Sequence, residues 1–327
     1  MNESSAPISR LIIFYIYVVL LVPSCLCCLL IFYNFLRMPQ LRKQPANQTI
    51  FLLLIILFIE ILIDLPMRLY YLYENQVAIQ TGGFCMFWNW IASVLNIIGL
   101  HLMAFASIER HFFIFNSQFR ARHRFLLSII PMILSVIYPL AFYTGTVFGS
   151  WWCANTYDYS VLACGAPCYL ITSAFFPLFG ILTHHVLPVF IVVFANVILV
   201  IRVCHQKTQM CQVNIWRKTI RMSVQLLSIA FTYIIVWLPQ CVLFIMLALG
   251  SGEVSTIAGW LIYEFTGNLT SLTAVFCPFV MLAGLPKLCH KIKRDFEKVF
   301  VRQNIVVPSH LELVNTGRQM RTPRANS

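Results

Sequence analysis

Seven stretches of this chain are long and apolar enough to cross a lipid bilayer as helices, and this feature constrains the fold more than any other. A crossing helix needs about 20 mostly apolar residues to span a hydrocarbon core about 30 Å thick. The stretches are Ser9–Leu36, Asn47–Tyr73, Gly83–Phe115, Phe125–Phe148, Thr183–Val203, Thr219–Leu249 and Ile257–Gly284. Between them the chain offers little else: 60% of its 327 residues are hydrophobic and only 10% are charged. Soluble domains carry about 25% charged residues, and no globule of this size hides so much apolar surface. Lipid is therefore the expected solvent. The expected fold class is an all-α membrane protein, a seven-transmembrane helix bundle formed by residues 9–284, with no internal repeat.

The charge pattern orients the bundle. The net charge of +12 comes in short clusters between the apolar runs, which is the pattern of membrane topology and not of nucleic-acid binding. Loops after helices 1, 3 and 5 and the C-terminal segment hold 21 of the 23 basic residues on one face, leaving only Arg10 and Arg68. That face is expected to be cytoplasmic, with the short N-terminus (residues 1–8) extracellular. A cleaved signal peptide is the competing reading of the first stretch. The long apolar run and the anchoring Arg37, Arg42 and Lys43 favour a retained helix.

The outer face then carries a glycosylation sequon at Asn2, whereas the sequons at Asn47 and Asn268 fall inside and in the membrane. It also carries Cys85, Cys153, Cys164 and Cys168, an even number in an oxidising compartment, which reads as two disulfides of open pairing. After helix 7, Leu288, Ile292, Phe296, Val299 and Phe300 recur at helical spacing among basic residues. Residues 285–300 are thus expected to form an amphipathic helix on the inner leaflet, and 301–327 a cytoplasmic tail.

The chemistry-bearing residues narrow the function. Cys85 and Arg110 lie 25 residues apart, close to one bilayer crossing, and the arginine sits in Glu109-Arg110-His111. Helix 6 carries Trp237-Leu238-Pro239 with Tyr233 one turn earlier; Pro239 cannot donate to the carbonyl of Ile235 and should kink the helix. Helix 5 carries Pro188, and helix 7 carries Pro278 in Cys277-Pro278-Phe279-Val280-Met281. This set resembles the rhodopsin-like (class A) G-protein-coupled receptors, as a divergent member.

The resemblance implies an outer cysteine tied to the second extracellular loop. It also implies a switch built on Glu109, Arg110, His111, Tyr233, Trp237, Pro239 and Pro278. Its implied partners are an extracellular ligand and a heterotrimeric G protein, with lipid around the bundle, no cofactor and no metal. Departures are equally specific. Leu57 stands at the family's buried aspartate, Asn196 replaces the helix-5 tyrosine, and Gly99, Thr273 and Cys277 replace other polar positions. The sodium-and-water network of typical members is therefore not encoded. Ala92 stands where amine receptors carry an aspartate, and Ser271 where retinal-binding members carry a lysine, which disfavours both.

The membrane acids lie instead at Glu60 and Asp64, one turn apart on helix 2. An acid at bilayer depth costs about 2.5–3.5 kcal/mol on insertion scales and so needs a partner. Arg68 offers Asp64 an i,i+4 pair, the simpler reading, with ligand binding as the alternative. Glu60 has no such neighbour; it is expected to be protonated or bonded to polar groups of helix 3 or 7 such as Asn96, Asn268 or Ser271, and to help floor a ligand cavity. Trp88, Asn89, Ala92, Asn96, Trp237, Gln240, Glu264 and Asn268 complete the candidate ligand set. The pair His184-His185 reads as interfacial rather than as a zinc site. No metalloprotease, phosphate-loop or nucleophile-elbow motif is present, so an enzyme is not expected. The rival functions are a transporter or ligand-gated channel, disfavoured by the missing repeats, and a non-signalling scavenger of receptor ancestry.

Overall fold

A computed structural model describes residues 8–39, 45–115, 123, 125–149, 153–172, 175–207, 213–250, 252–262 and 266–283. Asn2, Glu264, the expected amphipathic helix at 285–300 and the tail at 301–327 lie outside the described residues. Among the described residues the chain is helical and contains no strand.

The helices are α1 (Ile8–Arg37), α2 (Pro45–Glu74), α3 (Gly82–Phe115), α4 (Ile130–Phe148), α5 (Leu187–Lys207) and α6 (Val213–Leu249). A seventh crossing follows in pieces, α7a (Glu253–Leu261) and α7b (Leu272–Ala283), with a single turn at Gly267–Leu269 between them. Six helical spans are long and apolar enough to cross a membrane, and Gly267–Ala283 forms a shorter apolar one. Helix α3 is the axis, with 83% of its apolar window buried against 11% in α4 and 22% in α1. It packs on α2, α4, α5 and α6, and α7b closes the ring by packing on α1, α2 and α6.

The rest of the helical surface is turned outward and apolar. Val19 and Val22 on α1, Leu134 on α4, Phe190 and Phe194 on α5 and Phe231 on α6 are all exposed. Soluble monomers rarely expose contiguous patches of this extent, whereas hydrocarbon solvates them at no cost. The protein is a multi-pass membrane bundle.

Three boundaries differ from the expectation, each for a physical reason. The fifth span starts at Phe175, not Thr183: Phe175–Gly180 is helical and a wide turn at Ile181–Val186 joins it to α5. Pro177 is tolerated because the first turn of a helix has no N–H partners to lose. The wide turn precedes Pro188, which cannot donate to the carbonyl of His184. Helix α6 starts at Val213, ahead of the expected Thr219.

The seventh crossing starts at Glu253, not Ile257, and among the described residues its helix is interrupted at Thr270 and Ser271. The hydroxyls of Thr270 and Thr273 donate back to the carbonyls of Gly267 (2.9 Å) and Thr270 (2.8 Å), competing with the backbone ladder. Freed carbonyls in a membrane must find other donors. Arg68 Nη1 donates to the Gly267 carbonyl at 2.7 Å and the Tyr17 hydroxyl to that of Asn268 at 2.5 Å. Ser24 Oγ reaches the Val275 carbonyl at 3.0 Å. Side chains of α1 and α2 thus repair the break.

Candidate functional site

The end of the bundle opposite Arg110 is roofed by the segment between α4 and α5, residues 153–172. Two disulfides fix it, Cys85–Cys164 and Cys153–Cys168, which resolves the pairing that the sequence leaves open. Ala163, Cys164 and Gly165 have φ of 54°, 62° and 85°, a left-handed run that only the glycine adopts without strain. Asn89 Nδ2 on α3 donates to the Ala163 carbonyl at 2.5 Å and so pins this bend. Farther out, the backbone N–H (2.9 Å) and hydroxyl (2.6 Å) of Ser160 donate to Asp158 and hold its carboxyl below the usual carboxylate range.

Beneath this roof lies a cavity of about 760 Å³ between α3, α4, α6, the start of the fifth span at residues 176–185 and the second loop. It is within the size range of small-molecule sites. Five of the expected ligand residues line it: Asn89, Ala92, Asn96, Trp237 and Gln240. Its walls are largely aromatic or aliphatic, including Phe142, Phe244 and Leu162. Asn96 lies 11 residues into α3 from Cys85, a depth of about 16 Å at the helical rise.

His185 also lines the cavity, which the sequence reading missed. Its ring packs on Trp237 (centroids 5.5 Å apart) and Phe244 (4.8 Å), tying the wide turn ahead of α5 to the tryptophan of α6. Its neighbour turns elsewhere: His184 Nδ1 meets the Tyr143 hydroxyl at 3.2 Å and Nε2 that of Tyr138 at 2.9 Å, so the two rings serve different interfaces. The nearby Pro188 was the available signal, since a disturbed ladder changes which faces adjacent residues present.

Asn96 Oδ1, His185 Nδ1, Trp237 Nε1 and Gln240 Oε1 have no hydrogen-bond partner among the described residues. A buried unmet polar atom costs about 1–3 kcal/mol, so this concentration in one cavity wall is unmet binding capacity.

Glu60, Asp64, Trp88 and Asn268 do not line the cavity; they belong to a separate polar cluster. Asp64 is wholly buried, and both its oxygens are engaged. Trp88 Nε1 donates to Oδ1 at 2.9 Å, Arg68 Nε to Oδ2 at 2.5 Å, and Ser271 Oγ lies 3.4 Å from Oδ2. The acidic face of α2 meets Trp88 of α3 and Ser271 of the seventh crossing, and Glu60, expected to floor the cavity, is not among the residues that line it. Glu60 is buried in this cluster, and its Oε1 has no hydrogen-bond partner among the described residues.

At the other end Arg110 and Glu109 are both buried at 2% exposure. Thr49 Oγ1 of α2 donates to Glu109 Oε2 at 2.9 Å. On the α5 side, His111 Nε2 lies 2.8 Å from the Ala195 carbonyl, and Asn196 Nδ2 donates to Ser107 Oγ at 3.0 Å. Asn196 therefore still links α3 to α5 in place of a tyrosine. Midway, α6 fits closely against α3 at Gly99, where a Cβ would stand 3.1 Å from the Tyr233 hydroxyl. Pro239 lies within α6 and Pro278 within α7b.

No family model and no curated protein matches the sequence. Solved structures do: squid rhodopsin superposes with a TM-score of 0.67 over 91% of this chain and 88% of its own, at 17% identity. The disulfide-roofed bundle, the helix-3 axis and this superposition together give the chain the seven-helix fold of the rhodopsin-like (class A) receptors.

Proposed function

We propose that this protein is a plasma-membrane receptor with its N-terminus outside, binding an extracellular ligand and activating a heterotrimeric G protein. We read it as a receptor without enzyme activity that is not a typical amine receptor or opsin, since Ala92 and Ser271 stand where those carry their ligand-binding aspartate and lysine. The observation that carries the reading is that Trp237 of α6 lines the cavity while the same helix packs along α3, the helix of Arg110. A ligand that displaces Trp237 acts directly on the helix whose outward movement would uncover Arg110. Arg110 stays charged at any physiological pH and its fork suits backbone carbonyls of a docked partner. Glu109, His111, Tyr233, Pro239 and Pro278 form the remaining parts of the switch.

A G-protein dissociation reporter in cells tests this reading. The wild-type chain is expected to give agonist-free signal above mock-transfected cells, and Arg110→Ala to abolish it at equal surface expression. A silent wild-type chain at good expression favours a scavenger, and a ligand-induced current or flux without G protein favours a channel or transporter.

Thr49→Val adds a graded check. Its hydroxyl bonds a carboxylate across α2 and α3, a contact of about 1.5 kcal/mol or more, so its loss shifts a closed–open balance about tenfold. Basal signal in the reporter is expected to rise; an unchanged signal means that the bond persists in both states.

A further inference from the structure

We infer that the cavity takes an uncharged, lipid-like molecule bearing a hydroxyl or carbonyl, and that this molecule enters from the bilayer between the start of the fifth span and the end of α6. The inference deepens the receptor reading and rests on it for the identity of the cavity as the ligand site.

The first support is charge. Among the described lining residues Arg68 is the one ionised side chain, and its guanidinium already bonds Asp64 and the Gly267 carbonyl. The pair is close to neutral as seen from the cavity. A cationic or anionic ligand would be desolvated with no counter-charge, which burial strongly disfavours. The unpartnered atoms of Asn96, His185, Trp237 and Gln240 instead match a neutral donor–acceptor group, with a hydroxyl able to give and accept at once.

The second support is the route. From the water side the cavity is covered by Leu162, Ala163, Ala166 and Pro167 of the roof, a segment held by two disulfides and by Asn89. The exposed part of the lining lies at the end of the roof segment, the start of the fifth span and the end of α6, and it is wholly apolar. Ile171 (69%), Leu178 (43%), Leu247 (37%) and Leu249 (75%) are open, whereas Gln240, Trp237 and Asn89 are buried. Leu178 stands in the first turns of the fifth span and Leu247 and Leu249 in the last turn of α6, so this rim lies where two lipid-facing helices end. A mouth that admits solutes from water is rimmed by polar groups, and a rim of leucine and isoleucine is wetted by acyl chains. The same geometry sets the pose: the polar group lies deep, beside Trp237, and the apolar body extends to the rim.

The test uses purified receptor in phosphatidylcholine nanodiscs and a dodecanol probe carrying a diazirine on its chain, with labelled peptides mapped by mass spectrometry. Labelling is expected at cavity residues of α3, α4, α6 and the start of the fifth span, residues 176–185. Unlabelled dodecanol should compete, and dodecylammonium and dodecanoate should not. Asn96→Leu and Gln240→Leu should each cut the competed labelling about fivefold, the effect of one neutral hydrogen bond. Leu247→Trp should slow labelling and leave its final extent unchanged. Charged competitors as effective as dodecanol, or label confined to lipid-facing α1, would overturn the ligand class. A labelling rate unaffected by Leu247→Trp would overturn the route. The readout involves no G protein, so it fails or succeeds independently of the signalling reading, and the wild-type competition series stands even where a variant misfolds.

Discussion

Arg68→Leu is expected to destabilise the folded bundle by about 3–5 kcal/mol, the cost of leaving one partner of a buried ion pair uncompensated. The residue is buried at 6% exposure and performs two tasks with one fork. Its Nε neutralises Asp64, and its Nη1 reaches the Gly267 carbonyl freed by the break in the seventh crossing. Arg68→Lys should fare little better, because a single ammonium lacks the fork that serves both acceptors. Asp64→Asn should be milder than Arg68→Leu, since the amide still accepts from Trp88 and the Gly267 contact survives. The double variant Asp64→Asn/Arg68→Leu should be more stable than the sum of the singles by about 1–3 kcal/mol, as expected for residues in one network. Unfolding in bilayer-mimetic discs, followed by steric trapping, reads all four. Strict additivity would show that the two side chains act separately.

The second large effect is expected at the disulfides. Cys85–Cys164 closes a sequence separation of 79 residues and Cys153–Cys168 one of 15. Chain-entropy bookkeeping gives about 4.5 kcal/mol for the longer loop and about 3 kcal/mol for the shorter. Replacing both cysteines of the first pair by serine should therefore lower stability more, and surface expression with it. The two losses also differ in place. The first pair joins the roof to the start of α3, while the second closes a loop within the roof, so its removal should loosen the lid with the helices still assembled. Equal losses from the two double variants would contradict this assignment.

The fold was legible because the bilayer makes the apolar runs long and the loops charged. Six of the seven expected helices appear with their centres where hydropathy puts them. The broken seventh was not legible, because its break depends on threonine hydroxyls that redirect carbonyls and on Tyr17 and Arg68 in distant helices to accept the consequence. A window of hydropathy does not register such long-range donors. Arg68 did leave a trace in the sequence as one of two basic residues that topology did not absorb.

The cavity was half legible. Asn89, Ala92, Asn96, Trp237 and Gln240 were found because the position of Cys85 and the Trp-x-Pro element fix the register of α3 and α6. The i,i+4 pair of Asp64 with Arg68, the simpler reading of the sequence, is present, whereas Glu60 and Trp88 were offered to the ligand on polarity and lie with that pair outside the cavity lining. His185 was missed because the register of the fifth span depends on the wide turn at Ile181–Val186, which sequence periodicity does not reveal.

The central claim is that an α3 arginine and an α6 tryptophan belong to one working switch. Its most direct test is nucleotide exchange on purified heterotrimeric G proteins by the purified chain in lipid discs. The account predicts GDP release faster than with empty discs for at least one heterotrimer, lost in Arg110→Ala and raised by Thr49→Val. Exchange at the empty-disc rate for every heterotrimer, from a chain shown to be folded by its intact disulfides and unfolding transition, would contradict it.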